Sequence, residues 1–185
     1  MGARSARGAK RLGAHDVIIQ NVRVRPGDIE IAHNGLPPVP DYTPGARRDE
    51  PTLVVLSRLV PHKQIEDALD AVAELRPRMP ELHLDIVGGG WWQRRLVRHA
   101  ALLGISDAVT FHGHVDDYTK HQVLQKCWVH VLPSRKEGWG LAVTEAGQHC
   151  VPTIGYRSSG GLTDSIVDGV TGLLVDDYDG LVDGL

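Results

Sequence analysis

At 185 residues the chain is long enough for one well-buried domain and too short for two large ones. Hydrophobic residues at 42% and charged residues at 23% match ordinary folded soluble chains, and a formal net charge of -3 leaves no basic excess, which argues against a nucleic-acid partner. No apolar run reaches the length of a membrane span and the first residues lack the apolar middle of a signal peptide, so the cytoplasm is the expected location.

The chain opens with Arg4, Arg7, Lys10 and Arg11, read as the solvated face of a short helix or tail. Residues 16–35 mix β-branched runs (Val17, Ile18, Ile19, then Ile29 to Ile31) with turn residues and end on Asn34-Gly35. Pro37, Pro38, Pro40 and Pro44, followed by Gly45 and the charged run Arg47 to Glu50, predict a linker, because prolines neither continue a helix nor donate to a sheet. Residues 1–50 are therefore expected to be tail, interdomain segment and linker, and residues 51–185 one compact domain.

Within that domain short continuous apolar runs alternate with amphipathic stretches. Strands are predicted over Leu53 to Leu56, Leu82 to Val87, Val109 to Phe111, Val129 to Leu132, Thr153 to Tyr156 and Gly172 to Val175. Helices are predicted over Ile65 to Arg76, Trp92 to Leu103, Asp117 to Cys127 and Leu141 to His149, the first with Ile65, Leu69, Val72 and Leu75 at helical spacing. Such alternation calls for an α/β, Rossmann-like three-layer sandwich with a parallel sheet of about six strands. In open sheets of this kind ligands sit at the carboxyl ends of strands, so the loops that follow strands are where chemistry is expected.

After the first strand, Ser57-Arg58-Leu59-Val60-Pro61-His62-Lys63 puts two cations on one strand-to-helix loop. Arg58 offers a planar fork for phosphate oxygens and Lys63 a mobile point charge. Taken alone, such a loop is more often an ordinary solvated surface. Gly88-Gly89-Gly90 follows the second strand and would let backbone approach a ligand or turn into the helix at Trp91; its place in the chain does not fit the dinucleotide fingerprint. After the fourth strand, Glu137-Gly138-Trp139-Gly140-Leu141 and then Glu145 place two carboxylates around a tight entry into a helix, whose first N–H groups can face an anion. Carboxylates beside an anion site make sense when the ligand also carries hydroxyls, as a nucleotide sugar does: ribose hydroxyls for Glu145, sugar hydroxyls for Glu137 and a diphosphate for Arg58 and Lys63. Cys127 and Cys150 are read as buried small apolar residues, and His112 with His114 has no completing ligand set, so no metal is expected.

In order along the chain, Asn34-Gly35, Ser57-Arg58-Leu59 with Lys63, Ile86-Val87-Gly88 with Gly90, Phe111 to Val115, Leu132-Pro133-Ser134, the Glu137 to Ala146 segment, Gly160-Gly161 and Asp168 to Val175 resemble the C-terminal domain of the family 4 retaining glycosyltransferases, one half of a GT-B fold. The resemblance implies that Arg58 and Lys63 hold the donor diphosphate, Glu137 contacts the donor sugar and Glu145 the ribose. It further implies a base contact through the backbone of Val115, and a phosphate-facing helix start at Gly138, Gly140 and Leu141. Two positions depart from the family: Gln64, where glycine often follows the lysine, and Asp164, where glutamate often follows the Gly-Gly step.

By the same resemblance the donor is a UDP- or GDP-linked sugar, no cofactor or metal is required, and transfer proceeds with retention. The missing partners would be an N-terminal acceptor-binding domain and, for the full-length enzyme, the membrane periphery, so the chain is expected to be a fragment that binds donor with little or no turnover. Cell-envelope polysaccharide or glycolipid assembly is the expected setting. The alternatives are a non-catalytic nucleotide-sugar-binding module and a GT-B-fold nucleotide-sugar epimerase or hydrolase.

Overall fold

The computed structural model describes residues 35–39 and 47–185. The basic stretch at the start, the β-branched stretch up to Asn34, and Pro40 and Pro44 lie outside the described residues. The chain divides into two units, Met1–Gly35 and Leu36–Leu185, and every strand and helix named here lies in the second.

Among the described residues, strands β1 (Thr52–Leu56), β2 (His83–Val87), β3 (Val109–Gly113), β4 (Val129–Leu132), β5 (Thr153–Tyr156) and β6 (Gly172–Val175) form one sheet in the order β3-β2-β1-β4-β5-β6. Every pairing is parallel. The helices are α1 (Ile65–Leu75), α2 (Gln93–Leu102), α3 (Asp117–Leu124), α4 (Leu141–Gly147), α5 (Leu162–Ser165) and α6 (Tyr178–Gly184). Strands β4, β5 and β6 fall where the apolar runs predict them, and the four anticipated helices end one to three residues early. Periodicity does not register their caps, Arg76, Leu103, Gln125 and Gln148. Neither α5 nor α6 was anticipated. The first is four residues long, and the second carries Gly180 and Gly184, which dilute the helical signal until the Asp177 side chain caps it by accepting from the Gly180 N–H.

The two faces of the sheet differ. Leu53, Val55, Leu84, Ile86, Val131 and Ile154 point to one side and pack against α1, α2 and α6 in a hydrophobic cluster. The opposite side carries Val54 and Val87 against Val123, Leu124 and Cys127 of the α3 region and Ala146 of α4. Register puts Asp85, Val54, His130 and Thr153 in one row across β2, β1, β4 and β5 on that second side. All but Val54 are polar, and all are buried.

Each polar residue of this row has at least one partner, while among the described residues His130 Nε2 and, outside the row, Ser134 Oγ are buried without a hydrogen bond. Asp85 receives Arg48 at 3.1 Å and His112 at 2.7 Å, and His130 Nδ1 lies 3.0 Å from Thr153 Oγ1. Arg48 belongs to the charged run before β1. That run is bonded to the sheet unit: Arg48 N–H donates to Lys126 O, Trp128 Nε1 donates to Arg48 O at 2.8 Å, and Arg47 donates to Cys150 O at 2.6 Å. Cys127 is buried as expected, and burial, reinforced by Asp85, pushes its thiol up to about 12. Cys150 is not buried: it is exposed in a left-handed turn (φ 56°) that ends the α4 segment.

Candidate nucleotide site at the switch point

Strand order reverses between β1 and β4, and the two charge-bearing loops leave the carboxyl ends of these neighbouring strands. A switch point of this kind leaves a crevice, because the connections on either side depart in opposite directions.

The loop after β1 is pinned to the loop after β2. Ser57 N–H donates to Val87 O and Leu59 N–H to Gly89 O, so the two loops run side by side. A Cβ on Gly88 would lie 1.9 Å from Ser57 O, and one on Gly90 2.1 Å from Leu59 O. The glycines therefore make room for the neighbouring loop, not primarily for a ligand. Pro61 opens a 3-10 turn, Pro61–Lys63, and Gln64 closes it in the left-handed region (φ 45°, ψ 42°) before α1 begins. That conformation gives a physical reason for glycine at this position and makes Gln64 a strained choice.

The loop after β4 is tied at both ends. Arg135 N–H donates to His62 O at 2.9 Å, which binds it to the turn that carries Lys63. Glu137 N–H donates to Ser159 O at 2.8 Å, and Gly161 N–H returns to Glu137 O at 3.2 Å. A Cβ on Gly161 would fall 1.0 Å from Gly138 O, so the Gly160-Gly161 step is the seat on which the Glu137 loop rests. Gly140 (φ 72°) then starts α4, leaving the N–H groups of Leu141 and Ala142 at its first turn.

A cleft of about 520 Å³ opens here, lined by Ser57, Arg58, the Gly88–Gly90 step, His114 and Glu145. Arg58 is exposed, and its guanidinium has no partner among the described residues. The cleft thus brings together Arg58 and Glu145 from the predicted set. Lys63 and Glu137 form their own ion pair at 2.5 Å, with side chains only 12% and 9% exposed. Val115 lies half-buried on the loop after β3, packed with the second apolar cluster, and Leu141 is 42% exposed at the start of α4. Gly138 and Gly140 serve the loop geometry. A second hollow of about 610 Å³, lined by Gly90, Trp91, Gln93, Arg94 and Val97, has no carboxylate in its lining and shares only Gly90 with the cleft.

Two residues of this region were given no role in the nucleotide site from the sequence. His114 lines the cleft, although its neighbour His112 is committed to Asp85. Lys120 of α3 reaches Glu145 Oε1 at 2.7 Å and Asp117 Oδ1 at 2.8 Å. Burial acts to lower the ammonium's pKa, but the bonds to Asp117 and Glu145 outweigh it and the net direction is upward. The i, i+3 spacing of Asp117 and Lys120 is visible in the sequence; the reach to Glu145 across two helices is not. Among the described residues no cluster of three or more His, Cys, Asp or Glu is arranged to hold a metal ion.

Residues 43–185 match the family Glycosyl transferases group 1. A GDP-mannose-dependent alpha-(1-6)-phosphatidylinositol monomannoside mannosyltransferase of Mycolicibacterium smegmatis is 36% identical over 140 residues, 71% of this chain and 36% of the relative. A D-inositol 3-phosphate glycosyltransferase of Stackebrandtia nassauensis is 34% identical over 183 residues, 89% of this chain and 41% of the relative. The chain therefore spans well under half the length of these curated relatives. Among solved structures, the pneumococcal O-GlcNAc transferase GtfA in complex with UDP and GlcNAc is similar with a TM-score of 0.66 and 29% identity, covering 74% of this chain and 28% of that one. The apo lipopolysaccharide outer core galactosyltransferase WaaB shares the fold with a TM-score of 0.72 at 24% identity, over 87% of this chain and 46% of that one. With the parallel sheet, the switch-point cleft and the ordered motifs in agreement with these likenesses, the chain belongs to the glycosyl transferases group 1 family.

Proposed function

We propose that this chain is the donor-binding half of a retaining glycosyltransferase and that its switch-point cleft takes a nucleoside diphosphate sugar. The observation that carries the reading is the exposed, unpartnered Arg58 facing Glu145 in one cleft at the point where the sheet reverses. A cation without a partner suits the diphosphate; a carboxylate beside it suits a vicinal pair of ribose hydroxyls.

As the bond from the sugar's anomeric carbon to the leaving oxygen breaks, negative charge gathers on the diphosphate. Arg58 and Lys63 are the groups that would receive it, with the N–H groups around Gly140 and Leu141 as further donors and Gly138 holding the approach. Lys63 has three N–H donors and only one is committed to Glu137, so it can hold the carboxylate and a phosphate oxygen together. Glu137, fixed by that bond and by its seat on Gly161, is the acceptor for donor-sugar hydroxyls. Val115 is the backbone contact for the base, which is uracil or guanine. In this scheme the cations carry the leaving-group charge without a metal.

The acceptor and the rest of the crevice belong to an N-terminal domain, so the 185-residue chain alone binds donor with little turnover. A cytoplasmic enzyme at the membrane periphery, assembling cell-envelope polysaccharide or glycolipid, is the setting we infer; the lipid-linked acceptor named for the Mycolicibacterium relative supports it. Thermal unfolding with UDP, GDP or ADP in the presence of a chelator tests the reading. One nucleotide should raise the midpoint in a concentration-dependent way, as selective binding to the folded state requires; no shift with any of the three, at millimolar concentration, would count against it.

A further inference from the structure

Both carboxylates of the Glu137/Glu145 pair are held by a lysine, and the second lysine comes from an element that belongs to no motif. Lys120 stands in the first turn of α3, after the Asp116 cap. Its side chain is 16% exposed, and its Nζ lies between Asp117 Oδ1 at 2.8 Å and Glu145 Oε1 at 2.7 Å. Asp117 is 89% exposed, so that arm is weak, whereas Glu145 is 20% exposed and the pair sits partly withdrawn from water beside the cleft.

We propose that Lys120 is a positioning residue for the ribose end of the nucleotide. This rests on the donor-site reading above. The bond to Oε1 does two things. It removes much of the rotational freedom of a long side chain, so that the free oxygen, Oε2, meets hydroxyls from one direction. It also offsets the negative charge of Glu145, which would otherwise repel a diphosphate in the same cleft as Arg58. Lys63 does the equivalent for Glu137, so the site uses one arrangement twice: a carboxylate that reads hydroxyls, neutralised and aimed by a lysine from another element.

The readout is discrimination between nucleotides that differ only in ribose hydroxyls. Calorimetric titration at low salt would compare the chain with Lys120→Met, Lys120→Gln and Lys120→Arg, using UDP, GDP and ADP and then the 2′,3′-dideoxy form of whichever binds. The unsubstituted chain should prefer the ribose form by about tenfold or more, since a site built to bond hydroxyls rejects an analogue that lacks them. Lys120→Met and Lys120→Gln should shrink that preference to about threefold or less with little change for the dideoxy form, and Lys120→Arg should restore it in part. An undiminished preference in whichever of the Met and Gln variants remains folded would overturn the role of Lys120 while leaving the donor site intact. Failure of the unsubstituted chain to bind any nucleotide, or binding with no ribose preference, would instead remove the donor-site reading and this proposal with it.

Discussion

The two sides of the sheet are built for different purposes. On the α1, α2 and α6 side the buried strand residues are apolar except Tyr156, whose hydroxyl donates to Asp67 of α1, and the rest of the contact is generic packing. On the α3 and α4 side the same strands present Asp85, His130 and Thr153, the segment before β1 is bonded through Arg48, and Lys120 meets Glu145. Apolar packing tolerates substitution of similar volume, whereas a buried polar group needs its own partner. The first side therefore supplies stability, and the second fixes the positions of the loops and helices around the cleft.

The largest expected effect is on the packing side. Leu69→Ala removes a fully buried side chain facing the sheet and should cost about 3 kcal/mol in chemical denaturation, with nucleotide affinity unchanged as long as the protein is folded. A comparable loss of affinity would show that the two sides are not separable.

Next is the polar row. Burial drives the His130 imidazole from 6.5 down to about 3, so the folded state holds it neutral. Stability is then complete above the unfolded value near 6.5 and falls as pH drops toward 3, because the unfolded chain takes up the proton first. Between pH 6.5 and 5 this group alone should cost on the order of 2 kcal/mol. His83, His121 and His149 are lowered by burial too and add to the slope in the same direction. Denaturation of His130→Leu at several pH values checks the assignment: its profile should be flatter than that of the unsubstituted chain, and an identical slope would mean the row does not titrate as argued.

The smallest effect concerns backbone strain at the site. Gln64→Gly relieves a left-handed residue between the Lys63 turn and α1 and should stabilise by about 0.5 kcal/mol, measured by denaturant midpoint. Destabilisation would mean that the Gln64 side chain contributes contacts which outweigh the strain.

How much of this was legible in the sequence follows the same division. The apolar side was legible because it is periodic: Ile65, Leu69, Val72 and Leu75 name the buried face of α1, and the continuous runs of β4 and β5 mark strands covered on both faces, whereas β6 at the sheet edge leaves Leu173 exposed. The charged loops were legible as sets, since Arg58 with Lys63 and Glu137 with Glu145 each lie on one segment. What joins the sets was not. The Lys63–Glu137 pair spans 74 positions and the Lys120–Glu145 pair 25, and no local spacing announces either. The glycines of the Gly88–Gly90 step were visible, but that they admit the Ser57 to Leu59 backbone depends on which strands are neighbours. Cys150 was misjudged because its exposure is set by the turn after α4, a feature that composition does not carry.

The central claim is that the switch-point cleft binds a nucleoside diphosphate through Arg58 and Glu145. The direct measurement is calorimetric titration of UDP and GDP into the chain and its Arg58→Ala, Glu145→Ala and Arg98→Ala variants, the last on the outer surface of α2 away from the cleft. Saturable binding of one nucleotide is expected, weakened about tenfold or more by either cleft substitution, since each removes a charge-assisted bond, and unaffected by the third. Binding that survives both Arg58→Ala and Glu145→Ala at full strength, or that is lost with Arg98→Ala, would contradict it.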